Sequence, residues 1–282
     1  MCQRLDSTAA VTMGKTKNES FDEIVLRIPF VRMAVVTVSL PLFSLLYCLI
    51  TSVIFKPDEV NETMCSVDNF IPSVSAVTGV QPQCYVWRIC IALHCTPRFA
   101  VAVMYYNMYK TNIHYISEKN QPLYLKLMRL NFWLNLVENS CLVAVTYISN
   151  RDNYPVHEKI FVVFMVTSLC YMLLNTILFK WSRPGQMTDI EQRSYWWKKV
   201  LFIAIMMSTV GLLIFFYQHR VLCLPRAFSW FSLCEYGIAF TNMGYHVTAA
   251  FEFKDKSIVA GCGHMGHTTN GKLVNNDHKK RA

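Results

Sequence analysis

The sequence predicts an all-α polytopic membrane protein, a six-helix transmembrane bundle with both termini in the cytosol. Three observations predict it. Of the 282 residues, 53% are hydrophobic and 16% charged, whereas soluble domains carry about a quarter charged residues. Apolar runs long enough to cross a bilayer recur along the chain and do not form a single anchor. The basic residues are lopsided about those runs, with 20 on the N-terminal side, 5 on the other, and Arg88 and Arg98 inside a run. That bias places the N-terminal side in the cytosol. The net charge of +9 is thus read as orientation. Because the basic residues sit between apolar runs and not on one soluble face, no nucleic-acid partner is expected.

Taken in order, residues 1–26 form a polar cytosolic tail without the short apolar stretch of a signal peptide. Residues 27–253 form the spanning domain. Its runs cover Val31 to Phe55, Tyr85 to Tyr106, Leu130 to Ser149, Lys159 to Phe179, Val200 to Tyr217 and Phe228 to Phe251. Residues 56–83 form a polar lumenal loop punctuated by Pro57, Pro72 and Pro82. Residues 254–282 are a basic cytosolic tail. In it Lys279 and Lys280 resemble a dilysine signal for retrieval from Golgi to endoplasmic reticulum, and also fit a basic tail touching anionic headgroups. Cys262, His264, His267 and His278 are too irregularly spaced for a metal site and suit a disordered tail.

The lumenal loops carry their own marks. Asn61-Glu-Thr63 is a candidate glycosylation site. Cys65, Cys84 and Cys223 fall on the oxidising side, where a disulfide can persist. Three cysteines leave one unpaired: a Cys65–Cys223 bond would tie two lumenal loops, and Cys84 at the mouth of the second run is the expected free thiol.

The costly residues lie in the second run. Arg88, His94 and Arg98 occupy a sector of about 120° on it, and Pro97 removes a helical N–H and frees the Leu93 carbonyl. A guanidinium at mid-membrane costs about 2.5–3.5 kcal/mol on insertion scales, so such groups face a bundle interior. Partners are visible elsewhere. Asn131, Asn135, Glu138 and Ser149 share one face of the third run. His157, Ser168, Tyr171 and Asn175 share one face of the fourth, and Glu235, Asn242 and His246 one face of the sixth. The first and fifth runs show no such stripe and are expected to pack outside. The amides and Ser168 also fit plain interhelical hydrogen bonding, worth about 0.6–2 kcal/mol each.

At 1.5 Å per residue from the lumenal ends, Arg88 lies about 3 Å deep, Glu235 about 10, His94 about 12, Glu138 about 16, Arg98 about 18 and His246 about 27 Å. That ladder permits Arg98–Glu138 and His94–Glu235 pairs, places His157 and Glu158 at the lumenal mouth near Arg88, and sets His246 beside Asn131. It separates the histidines too far for a zinc site. With no P-loop, dinucleotide fingerprint or nucleophile elbow, neither metal nor cofactor is expected. Chemistry, if there is any, rests on a histidine and a carboxylate acting as general acid and base.

Several segments carry a resemblance: Ile71-Pro-Ser-Val-Ser75, Pro82-Gln-Cys-Tyr-Val-Trp-Arg88, Leu93-His-Cys-Thr-Pro-Arg-Phe99, Arg129 through Asn139, Thr146-Tyr-Ile-Ser149, His157-Glu158 and Thr241-Asn-Met-Gly-Tyr-His246. In that order they resemble the post-GPI attachment to proteins factor 2 family, over about residues 22 to 253. The family is related to the DRAM-type membrane proteins, whose fold alone does not fix an activity. The resemblance implies a multi-pass Golgi protein, cycling with the endoplasmic reticulum, that acts in fatty-acid remodelling of GPI anchors. There it promotes replacement of the removed sn-2 chain by a saturated one. Implied partners are GPI-anchored proteins, GPI and other membrane lipids, and further remodelling proteins. The resemblance also implies a Cys65–Cys223 disulfide. Cys84 and the tail after Phe253 depart from the family pattern.

Joined to the residue reading, the resemblance suggests an acyltransferase with His94 as base, Arg98 as electrostatic support and Glu138 orienting it. Arg88, His157 and Glu158 would then hold the headgroup. The competing reading is a non-catalytic protein presenting or transporting GPI lipids to a separate acyltransferase.

Overall fold

The computed structural model describes residues 23–262 apart from 184 and 186. Strand β1, Glu23–Pro29, pairs with strand β2, Ser257–Cys262, in a two-stranded sheet. The helical unit, residues 29–256, contains α1 (Phe30–Phe55), two short helices α2 (Pro57–Asn61) and α3 (Val74–Gly79), then α4 (Gln83–Thr111) and α5 (Gln121–Tyr147). It continues with α6 (Tyr154–Trp181), α7 (Asp189–Arg220), α8 (Ala227–Val247) and one turn, α9 (Ala249–Glu252). The segment read as a polar loop, residues 56–83, thus holds two short helices. Several helices outrun their apolar cores: α7 begins at Asp189, held by a capping box in which Thr188 and Glu191 exchange backbone bonds.

Among the described residues α1, α4, α6 and α7 are long and apolar enough to cross a membrane. The helices α5 and α8, of 27 and 21 residues, fall short on composition because they carry the polar stripe. Their burial explains why they tolerate it. Asn131, Asn135, Glu138 and Asn139 of α5, and Glu235 and Asn242 of α8, all point inside.

Two apolar cores flank that polar middle. Phe30, Tyr105, Tyr109, Tyr124, Met128 and Phe253 pack at one end. Met165, Met172, Ile205, Leu212, Ile238 and Tyr245 join α6, α7 and α8. The α7–α8 contact relies on glycine at two places. A Cβ on Gly211 would lie 2.8 Å from Cys234 Sγ, and one on Gly237 2.7 Å from Ser208 Oγ. Only a bare backbone allows that approach. Gly237→Leu is therefore expected to cost about 1–3 kcal/mol by overpacking, seen as a lower thermal midpoint of the detergent-solubilised protein.

Packing corrects the expectation that the first and fifth helices stand outside the polar interior. Pro41 in α1 supplies no N–H, so the Thr37 carbonyl four residues before it lacks its helical donor. His94 Nδ1 takes that carbonyl at 2.7 Å. On α7, Lys198 is fully buried and its Nζ lies 3.0 Å from Glu252 Oε1, which also accepts from Ser194 Oγ at 2.7 Å. Tyr245, whose ring centroid is 4.6 Å from the ammonium, Tyr105 and Phe179 enclose it. A sequence count that treats Lys198 as a loop cation misses this, because its helix starts nine residues earlier.

Cys65 and Cys223 are joined by a disulfide, with their Cα atoms 5.5 Å apart and a sequence separation of 158. Cross-linking so long a loop restricts the unfolded chain. Replacing both by serine is expected to cost about 2–4 kcal/mol, read as a fall in thermal midpoint that reductant reproduces in the native chain. Cys84 is free and buried. The tail residues Lys279 and Lys280, and His264, His267 and His278, lie outside the described residues.

Candidate functional site

Four helices converge on one carboxylate. Glu138 of α5 has a fully buried side chain, and its Oε1 receives Asn242 Nδ2 at 2.8 Å. Arg98 Nη2 lies 3.2 Å from the same oxygen and His246 Nε2 3.1 Å. Arg98 also reaches His246 Nε2 at 2.6 Å and His94 Nε2 at 3.4 Å. Ser168 Oγ accepts the second Asn242 contact at 2.7 Å. Arg98 and Glu138 cancel in charge, so a neutral His246 leaves the cluster neutral. A proton added there would sit against a permanent cation.

Two sequence expectations fail at this point. His94 pairs with Thr37 and Arg98, and Glu235 instead accepts the Val74 backbone N–H at 2.8 Å. His246 lies on Glu138, not beside Asn131, whose Nδ2 is 3.5 Å from Asn175 Oδ1. The depth ladder misled because it assumed level helix ends. Glu138 lies nine residues from the end of α5 and His246 nineteen from the start of α8, yet they touch. Asn135 completes the inner wall, lining a small pocket with Arg98 and His246.

The cluster turns most of its polar groups on one another, while Glu138 Oε2 and Arg98 Nε are buried without a hydrogen-bond partner among the described residues. Donating Nδ1–H to Thr37 leaves His94 with Nε2 as its lone-pair nitrogen, and that atom faces Arg98. His157 is different. Its Nδ1 is 2.7 Å from the Ile148 carbonyl at the end of α5. That contact fixes the tautomer and leaves Nε2 without a protein partner among the described residues.

His157 stands where two cavities meet. An inner one of about 100 Å³ is lined by His94, Thr146, His157, Glu235 and Asn242. An outer cleft of about 640 Å³ runs between α6 and α7 and shares Ser75, His157, Phe161 and Glu235 with the inner one. The cleft is apolar along Val162, Met165, Leu212, Leu213 and Phe216 and polar at its lip, where Glu62, Glu158 and Arg220 gather. Its volume falls within the range of about 300–1,000 Å³ usual for ligand pockets.

Arg88 is engaged beside this site. Its Nη2 donates to Asp152 Oδ2 at 2.9 Å and to the Tyr147 carbonyl at 3.2 Å. Asp152 also accepts the Ser149 hydroxyl at 2.7 Å, and the Ser149 bonds followed by Arg88 hold its carboxyl below the usual range. Sequence reading overlooked Asp152 because an acid in a polar loop gives no signal. Asn61 closes α2, its Nδ2 donating to the Pro57 carbonyl at 2.9 Å. Among the described residues no three His, Cys, Asp or Glu side chains are placed to hold a metal ion.

Residues 29–256 match the Frag1/DRAM/Sfk1/Cwh43P N-terminal domain. The chain is 48% identical over 225 residues to Post-GPI attachment to proteins factor 2-like of Drosophila melanogaster, covering 79% of this chain and 69% of that protein. It is 38% identical over 231 residues to Acyltransferase PGAP2 of Xenopus tropicalis, covering 82% and 90%. It is also 34% identical over 241 residues to Post-GPI attachment to proteins factor 2 of Caenorhabditis elegans, covering 84% and 90%. No solved structure matches the chain. The family match over residues 29–256, which hold both the ionic cluster and the cleft, and identity at this level show that the chain belongs to the Frag1/DRAM/Sfk1/Cwh43P family and, within it, to the post-GPI attachment to proteins factor 2 proteins.

Proposed function

We propose that this chain is a Golgi membrane acyltransferase that restores a saturated sn-2 chain to lyso-GPI, with six spans and both termini in the cytosol. The observation that carries the proposal is the pair of cavities that share His157 and Glu235 in their walls, a largely apolar cleft beside a smaller inner pocket. Both lipids of an acyl transfer, acceptor and donor, have that polarity. Residues 27–253 form the working domain, and its substrates are GPI-anchored proteins and GPI lipids. The name of the Xenopus relative supports the reaction class, and the lopsided basic residues support the orientation.

In this mechanism His157 Nε2 takes the proton of the lyso-GPI hydroxyl as it attacks the acyl carbonyl, then returns it to the leaving group. The Ile148 carbonyl keeps the ring in the competent tautomer. His94, Arg98, Glu138, His246 and Asn242 act one layer inward, fixing α4, α5 and α8 around the pocket. Arg88, neutralised by Asp152, anchors the mouth between α4 and α5.

Purified protein in nanodiscs with lyso-GPI and labelled acyl donors tests the proposal. Diacyl GPI formed with no second protein present supports it. Tight lyso-GPI binding without product from any donor would replace it by the presenting or transporting role.

A further inference from the structure

We infer that the α6–α7 cleft holds the acyl donor, and that this donor is a zwitterionic glycerophospholipid of the same leaflet. The inference rests on the acyl-transfer reading above and names the co-substrate it leaves open. Three features of the cleft point to it.

The first is access. Val162 and Leu213, on the two walls, are 48% and 57% exposed, whereas Met165 and Leu212 deeper in are 7% and 4% exposed. The cleft therefore opens sideways on the apolar flank of the bundle and closes inward. From His157 to Met165 and from Arg220 to Leu212 each wall runs eight residues, about 12 Å of helix. A lipid can slide in from the bilayer with its chain along that floor.

The second is the charge of the lip. Arg88 is neutralised by Asp152 and Arg151 by Glu59. Arg220 enters no ion pair among the described residues and rests against Met64 and the Tyr154 ring. Glu62 and Glu158, also outside any ion pair among those residues, line the same lip. An uncompensated guanidinium is a phosphate site, and carboxylates beside it suit the ammonium of the same headgroup. A purely anionic headgroup would meet those carboxylates as repulsion.

The third is the side of the membrane. Met64 and Arg220 stand next to Cys65 and close to Cys223, whose disulfide belongs to an oxidising compartment. A thioester donor made in the cytosol would have to cross the bilayer to reach this lip. A phospholipid of the lumenal leaflet is already there.

The step balances without any further reagent. The lyso-GPI oxygen bonds to the donor's acyl carbon, and the bond from that carbon to the donor's glycerol oxygen breaks. The proton passes from the acceptor hydroxyl to His157 Nε2 and on to the glycerol oxygen, releasing a lysophospholipid.

The test uses full-length protein in nanodiscs of phosphatidylcholine with a labelled acyl chain, plus lyso-GPI and no thioester. Label in diacyl GPI, with an equal amount of lysophosphatidylcholine, is the expected result. A phosphatidylcholine bearing a photoreactive acyl chain should cross-link to α6 and α7 in the absence of lyso-GPI. Arg220→Glu should lower that cross-linking about tenfold, since a charge-assisted hydrogen bond is lost. Leu213→Trp, which fills the cleft and leaves the lip unchanged, should lower it as much. Cross-linking that lyso-GPI displaces competitively would make the cleft the acceptor site and overturn the inference. Product from acyl-CoA alone would overturn it while leaving the acyl-transfer reading intact. No product from any donor would overturn both.

Discussion

Glu138→Ala is expected to remove about 3–5 kcal/mol of stability, because it strands a buried guanidinium without its counter-charge. Arg98 is 5% exposed and Glu138 has no exposed side-chain surface. The truncation also deprives Asn242 of its acceptor at 2.8 Å and removes the carboxylate that lies 3.1 Å from His246 Nε2. Replacing both charges is a different experiment. Arg98→Met with Glu138→Met removes the unpaired ion and fills similar volume, so the double variant should be more stable than either single one. Thermal midpoints of the solubilised protein measure all three. A double variant no more stable than the weaker single one would show that the two charges do not compensate each other.

That comparison also shows what kind of information the sequence held. Glu138, Arg98, Asn242 and His246 stood out one by one, since an ionisable or amide group inside an apolar run needs a reason to be there. Angular position around each helix followed from 100° per residue, and Asn131, Asn135, Glu138, Ser168 and Asn242 are buried, whereas Ser149, counted on the same face, lies beyond the end of α5. Height did not follow, because it depends on tilt and on how far each helix protrudes. The Glu138–His246 contact depends on height and was lost. The Lys198–Glu252 pair was lost for a related reason, since the polar first turns of α7 hide its true start at Asp189. The Thr37–His94 bond was illegible for another reason. Its acceptor is a backbone carbonyl, set free by Pro41 four residues later, and carbonyls leave no mark in the sequence.

His157→Asn is expected to lower the acyl-transfer rate about 10²–10⁴-fold, the usual worth of a positioned general base. Asparagine retains an N–H to donate to the Ile148 carbonyl, which accepts from Nδ1 at 2.7 Å in the native chain, so the loop after α5 should hold. It removes only the second nitrogen, the one facing the junction of the two cavities. The kinetic form of the loss decides between two roles for this side chain. A base contributes in the transition state, so kcat should fall while KM and phospholipid cross-linking stay within about threefold of the native values. A headgroup ligand contributes to ground-state binding, so KM would rise with kcat unchanged. His94→Asn supplies the contrast. Its ring joins the Thr37 carbonyl to Arg98, so its loss should appear first in the thermal midpoint. If His94→Asn abolished turnover in a protein of native stability while His157→Asn did not, the base would be His94, and the polar cluster rather than the cleft would be the reaction centre.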